Sequence, residues 1–445
     1  MDFQAFKQLV IAKCAQMGIE EYELYYQAAE STSVSAFQQE INEFTSANEG
    51  GICFRCIVGG RMGYASTEAL NEITAAAIVE RAADNASVLE AEEPVFLCEG
   101  GKTYQQITRK PYDLPATDAL ISKVLETQKC IYAADPMVID GTQTQGIAER
   151  SETAIYNSRG LDLHCVNTLT GLVAAAVIRS GDEMENDFKI KLGDIRTIDV
   201  PTMTTDLVKA AKAKLGSDVA PTGQYPVVFA PEAMCDLLAV YASVFSSENA
   251  QKGLSRLSGK EGQRIASDNV TLVDDPFHPM SPMQWSFDAE GSPTCAKNLI
   301  EKGIFQTLLY NLKTANIAGR STTGNASKAG YDSPVGIRPF TLYLAPGEIS
   351  REELLRKAGN GVYIHALEGL HAGANAVSGD FSLQSAGFMI EDGVLTKSVK
   401  SFTVAGNFYD LLKNITCVAS DLELPGMGRF GSPSVLVEGL SVAGK

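Results

Sequence analysis

The chain lacks any run of roughly eighteen consecutive apolar residues, so no membrane-spanning helix is expected. A signal peptide is not legible either. Lys7 and Lys13 interrupt any apolar core near the start, while Phe3, Phe6, Val10 and Cys14 recur at helical spacing. Basic residues are the minority, 37 against 54 acidic ones, giving a net charge of −17. A broad nucleic-acid surface needs clustered Lys and Arg, so neither nucleic acid nor a membrane is an expected partner. Histidine is scarce, with only His164, His278, His365 and His371 available for metal or acid–base chemistry. Nine cysteines without a leader read as reduced thiols rather than a disulfide framework, and the expected compartment is the cytoplasm. Asn269-Val270-Thr271 is therefore not expected to carry a glycan.

What is present fits a folded chain. Hydrophobic residues make up 45% of the sequence, and 445 residues exceed what one ordinary core holds. The pattern predicts an α+β protein: an N-terminal α/β lobe with an antiparallel sheet and helices, then a β-rich, sandwich or barrel-like C-terminal domain. The predicted segments are 1–87, a linker or excursion over 88–115, a second α+β segment over 116–220 that joins the first lobe, and the C-terminal domain over 221–445. A helix is expected over 2–17 and strands over 22–66, with Gly59-Gly60 turning a hairpin. Thr67 is the expected cap of a second helix whose stripe is Leu70, Ile73, Ala77 and Val79. Glu90, Glu92, Glu93 and Glu99 mark the excursion. Thr117 caps a third helix and Thr205 leads a fourth, with strands over 137–192 between them. Beyond Ala220-Pro221-Thr222-Gly223, a strand over 225–229 precedes a helix opened by Pro231. Met234, Leu237, Leu238, Tyr241, Val244 and Phe245 keep helical period there. Short strands follow at 303–309, 341–345, 361–366, 387–391, 394–402 and 434–438.

The chemistry-bearing motifs are thin. Cys53-Phe54-Arg55-Cys56 lies in a predicted strand, where positions three apart face opposite sides, so it forms neither a redox pair nor a zinc site. His365 and His371 are six residues apart with Glu368 between, unlike the one-turn spacing of His-Glu-x-x-His, so loop histidines are the plainer reading. Gly259-Lys260-Glu261-Gly262 is too short for a phosphate loop, and no Gly-x-Ser-x-Gly elbow occurs. Asp288 and Glu290 read as a turn rather than a paired acid and base.

The C-terminal third is more specific. Residues 369–382 (GLHAGANAVSGDFS), 386–393 (AGFMIEDG), 402–408 (FTVAGNF) and 440–444 (LSVAG) resemble the signature blocks of the TldD/PmbA family of bacterial and archaeal peptidase-related proteins. Gly63-Tyr64-Ala65-Ser66-Thr67 resembles that family's Gly-x-Ala-Ser-Thr stretch, and Asp288-Ala289-Glu290-Gly291 its Asp-x-Glu-Gly turn. The resemblance implies two branches, one bearing a zinc-binding His-Glu-x-x-x-His helix and one, PmbA or TldE, without it. On the helix after 225–229 the motif aligns its histidines with Ala239 and Val244 and its glutamate with Val240. No metal ligand and no catalytic residue is therefore expected in this chain, and zinc is expected in a partner subunit. The resemblance further implies a TldD-like zinc-bearing partner, a homodimer when the chain is isolated, and extended or unfolded peptides as substrates, as in maturation of a microcin-type peptide. His371, Asn375, Asp380 and Ser382 are the residues expected to line the peptide groove, against the plainer reading that they satisfy turns. The alternatives are a peptide-binding scaffold without proteolysis and an autonomous hydrolase, with zinc at His365 and His371.

Overall fold

A computed structural model describes residues 1–89 and 94–444. The N-terminal lobe is one antiparallel sheet in the order β3-β2-β1-β4-β5-β6. Its strands are β1 (Glu21–Phe37), β2 (Glu40–Val58), β3 (Arg61–Thr67), β4 (Gln143–Asn157), β5 (Asp162–Ser180) and β6 (Glu183–Leu192). Both predicted N-terminal segments thus enter a single sheet, through fifteen paired positions of β1 and β4 from Glu23↔Asn157 to Phe37↔Gln143. The turn between β2 and β3 is Gly59-Gly60 with φ of +58° and +76°, a backbone that suits glycine at both positions.

Strand alternation decides which side the helices cover. Tyr22, Leu24, Val34 and Ala36 of β1 point to one face, which α1 (Phe3–Met17), α2 (Glu72–Val88), α3 (Thr117–Ala134) and α4 (Val200–Ala213) close over. Glu23 and Tyr25, between them, point to the other face and are buried too. That second face is covered by the C-terminal domain. The same alternation splits the cysteine pair as predicted: Cys53 joins the cluster around Tyr25 and Phe287, and Cys56 the cluster under α1 and α2.

Three helix starts differ from expectation. The second helix is capped by Asn71, whose carboxamide accepts the Thr74 N–H at 3.0 Å while Thr74 reciprocates, so Thr67 stays in β3. Ile73 is consequently solvent-facing and Ala75, Ile78, Val79, Ala82 and Ala86 form the buried stripe. The third helix begins at Thr117 itself, after Ala116, with no side-chain cap. The fourth begins at Val200, capped by Asp199 with Pro201 in its first turn, rather than at Thr205. Within the predicted excursion, Glu90, Glu92 and Glu93 lie outside the described residues. Residues 94–115 carry no helix or strand, yet they are tied to the C-terminal domain. The Tyr104 hydroxyl donates to the Gly291 carbonyl at 2.8 Å, and the Thr108 and Arg109 amides donate to Gln284 Oε1 at 3.1 and 3.0 Å.

The C-terminal domain holds a closed five-stranded barrel. Its strands are Val394–Asn407, Asp380–Glu391, Gly361–Glu368, β7 (Gly223–Phe229) and Val435–Ala443, and the ring closes through Thr403↔Ala443, Val404↔Val442 and Ala405↔Ser441. Of the two predicted alternatives the barrel is the one formed, and closure leaves these strands no free edge. The predicted strand over 303–309 shortens to Ile304–Phe305, because the chain then turns so that the Leu309 amide donates to the Phe245 carbonyl at 2.8 Å.

Candidate functional site

The helix after β7, α5 (Pro231–Tyr241), continues as a short 3₁₀ turn, Ala242–Phe245. Met234, Leu237, Leu238, Tyr241, Val244 and Phe245 are buried as their period predicts, whereas Ala239 is exposed and Val240 half-buried. At the three positions where the resemblance places a zinc motif, the side chains are hydrocarbon and offer no lone pair to a metal. Two acids share the outer side of this helix. Burial raises the carboxyls of Glu232 and Asp236, the latter to about 6.

The end of α5 is fixed to the glycine-rich segment. Tyr241 stacks on Phe408 with ring centroids 4.3 Å apart, and its hydroxyl donates to the Asp380 carbonyl at 2.9 Å. Asn375 organises the turn there: its carboxamide oxygen accepts the Val377 and Ser378 amides at 2.9 and 3.1 Å, and its own amide donates to the Asp380 carbonyl at 2.9 Å. The Asp380 carboxylate accepts from Asn407 at 2.8 Å, and the bonds from Asn407 and Ser378 hold it below the usual carboxylate range. His371, on the short helix Leu370–Gly373, and Ser382, on the following strand, are exposed. The four predicted groove residues therefore share one region beside α5. Asn375 and Asp380 are engaged in the turn, while His371 and Ser382 face outward.

The remaining histidines lie apart from this region. His365 sits at a bulge in its strand with its ring 5.7 Å from Phe388, and burial lowers it to about 4. His278 is buried against Tyr343, and His164 pairs with Glu152 at 2.8 Å on the surface. Among the described residues, no group of three or more His, Cys, Asp or Glu side chains is placed to hold a metal ion.

A second polar centre joins the lobes, and sequence reasoning passed over it. Arg55 and Glu23 are 6% and 1% exposed; Arg55 Nε donates to Glu23 Oε1 at 2.8 Å, and Arg55 Nη1 lies 4.0 Å from Glu290. Asp288 forms the predicted turn by accepting the Glu290 and Ser292 amides at 2.9 Å each and the Ala326 amide at 3.0 Å. Glu290 also accepts the Leu312 amide at 2.8 Å. Burial raises both of these carboxyls, with Arg55 opposing the rise at Glu290. Arg55 appeared in the sequence only as a spacer inside Cys53-Phe54-Arg55-Cys56. The available signal was a charged residue at a strand position that alternation sends to a covered face.

Three family models match consecutive parts of the chain. They are described as PmbA/TldA metallopeptidase domain 1, over residues 22–86, the central domain, over 110–215, and the C-terminal domain, over 222–444. A metalloprotease of Methanothermobacter thermautotrophicus is 28% identical over 415 residues, covering 90% of this chain and 88% of that protein. Among solved structures, a putative modulator of a DNA gyrase from Thermotoga maritima is 30% identical with a TM-score of 0.91, covering 99% of this chain and all of that one. TldE from Thermococcus kodakarensis is 26% identical with a TM-score of 0.90 and the same coverage. With models covering all three parts of its length and relatives that align nearly end to end, this chain belongs to the TldD/PmbA family of metallopeptidase-related proteins.

Proposed function

We propose that this chain is the metal-free subunit of a TldD/TldE-type zinc metallopeptidase complex, binding extended or unfolded peptides beside a zinc-bearing TldD-like partner. The observation that carries the reading is the chemistry of α5. Ala239, Val240 and Val244 stand where a zinc motif would supply two imidazoles and a carboxylate, while the turn at Asp380 is docked against the helix end. Similarity to TldE from Thermococcus kodakarensis supports the same branch. Nine free cysteines, six of them buried, fit a reducing cytoplasmic compartment. The partner's zinc would polarise the scissile carbonyl and activate water. This chain's part would be to hold the peptide backbone near His371 and Ser382.

The test mixes the purified chain with a TldD-like subunit from the same genome, quantifies metal in each, and follows cleavage of an unfolded peptide. Cleavage is expected only in the mixture, with zinc confined to the partner. Stoichiometric zinc and cleavage by this chain alone would establish an autonomous hydrolase and overturn the reading. Peptide binding with no cleavage in any mixture would establish a scaffold instead.

A further inference from the structure

In a chain of net charge −17, one cleft is lined by two arginines and no acid. Arg338 and Arg429 line one cleft together with Trp285, Phe340, Met283 and Met427. Among the described residues, neither guanidinium makes a hydrogen bond or an ion pair.

The backbone beneath each arginine is fixed, so the two side chains leave from set points on the cleft wall. The Arg338 amide donates to the Asn325 carbonyl at 3.2 Å, and its carbonyl accepts from Asn325 Nδ2 at 3.1 Å. That Nδ2 also donates to fully buried Asp274 at 2.7 Å, whose other oxygen accepts the Phe340 amide at 2.7 Å. On the other side, the Arg429 carbonyl accepts the Leu342 amide at 2.9 Å. Gly428, with φ of +69°, lies so close to Pro282 that a Cβ would meet its ring at 2.5 Å. Arg429 directly precedes the short strand Phe430–Gly431, against which α5 packs.

A pair of forked donors on rigid backbone suits a planar oxyanion, which can accept from both guanidiniums. The neighbouring side chains narrow the choice. Trp285, Phe340 and the two methionines are apolar and suit the side chain beside a carboxylate, whereas a polyanion would meet the repulsion of the whole acidic surface. We propose that Arg338 and Arg429 clamp the terminal carboxylate of a bound peptide, with Trp285, Phe340 and Met427 receiving its last side chain. This rests on the peptide-binding reading above and extends it to the end of the peptide that this chain grips.

The only tryptophan in the sequence, Trp285, lies in the cleft and reports binding by its fluorescence. The full chain is titrated with an N-acetylated hexapeptide ending in leucine, as the free acid and as the amide, and with an amide ending in aspartate. The free acid is expected to bind roughly 10- to 100-fold more tightly than the leucine amide, the range for charge-assisted hydrogen bonds. Arg338→Gln with Arg429→Gln should abolish that preference without moving the urea midpoint, since both side chains are exposed. Equal affinity for acid and leucine amide, or a preference that survives the double substitution, overturns the clamp but leaves peptide binding standing. An aspartyl amide that binds as tightly as the free acid overturns the assignment to the chain terminus. Binding of none of the three peptides overturns both the clamp and the peptide-binding reading.

Discussion

Tyr241, buried at the end of α5, donates its hydroxyl to the main-chain carbonyl of Asp380 139 residues later in the chain. The bond ties the helix to the turn that carries His371 and Asn375. Tyr241→Phe keeps the stack on Phe408 and removes only the bond, so a loss of about 0.5–1.5 kcal/mol is expected. The Asp380 carbonyl still accepts the Asn375 amide, which keeps the loss modest. Denaturant unfolding measures the global cost, and hydrogen exchange should show faster opening over residues 370–382 than elsewhere. Unchanged exchange there would mean the turn holds its place without the helix.

Arg55 illustrates what happens when one member of a buried charge cluster is removed. Arg55→Met leaves Glu23 and Glu290 buried without their cation, and a loss of about 3–5 kcal/mol is expected. Adding Glu23→Met should recover a large part of it, because the second change removes an uncompensated carboxylate. Urea unfolding of the two single variants and the double variant gives the coupling directly. Additive losses would show that the pair contributes no mutual stabilisation.

These two sites also mark what could be read from the residues. The α5 stripe was legible because helical period depends on neighbours a few positions apart, and the split of Cys53 from Cys56 followed from strand alternation alone. Barrel closure through 403–405 and 441–443 was not legible, since pairing over that distance is decided by the whole ring of strands. The same holds for Arg55 with Glu23, and for Arg338 with Arg429, which lie ninety-one positions apart and meet only in the fold. Thr67 misled because a Thr and an Asn both resemble helix caps. Asn71 wins by completing a reciprocal pair with Thr74. The plainer reading of Asn375 and Asp380, that they satisfy a turn, was legible from their residue types, whereas the partners they engage, the Val377 and Ser378 amides and the Asn407 carboxamide, are set by how the turn folds.

Asp236 supplies a pH dependence. Burial raises its carboxyl from 3.8 to about 6, so the folded chain binds this proton more tightly than the unfolded chain does. Its contribution to stability is therefore fully present below pH 3.8 and is lost as the pH rises through about 6. Asp236→Asn stays neutral and escapes that loss. The variant should match the parent near pH 4 and exceed it by roughly 1–3 kcal/mol at pH 8, as read from urea midpoints across that range. A constant difference between the two proteins at every pH would show that burial does not perturb this carboxyl.

Gly373 gives the most direct test of whether the turn beside α5 takes part in peptide handling. A Cβ at this position would lie 2.4 Å from the Ser382 carbonyl oxygen and 3.0 Å from a Leu383 methyl group, so the short helix Leu370–Gly373 sits flush on the following strand. Gly373→Val must lift that helix away, moving His371 and Asn375 relative to Ser382. The barrel core around Leu383 can absorb part of the change, and a global loss of about 1–3 kcal/mol is expected from overpacking. If the turn lines the peptide groove, cleavage by the mixed subunits should fall by on the order of tenfold at a temperature where both variants are fully folded, the range expected for displaced substrate-positioning groups. The control is Ile73→Ala, an exposed position on α2 far from the turn in sequence, which should leave cleavage unchanged. Full activity in Gly373→Val, with the displacement verified by hydrogen exchange over 370–382, would remove the turn from the groove and move the search for peptide contacts to the Arg338–Arg429 cleft.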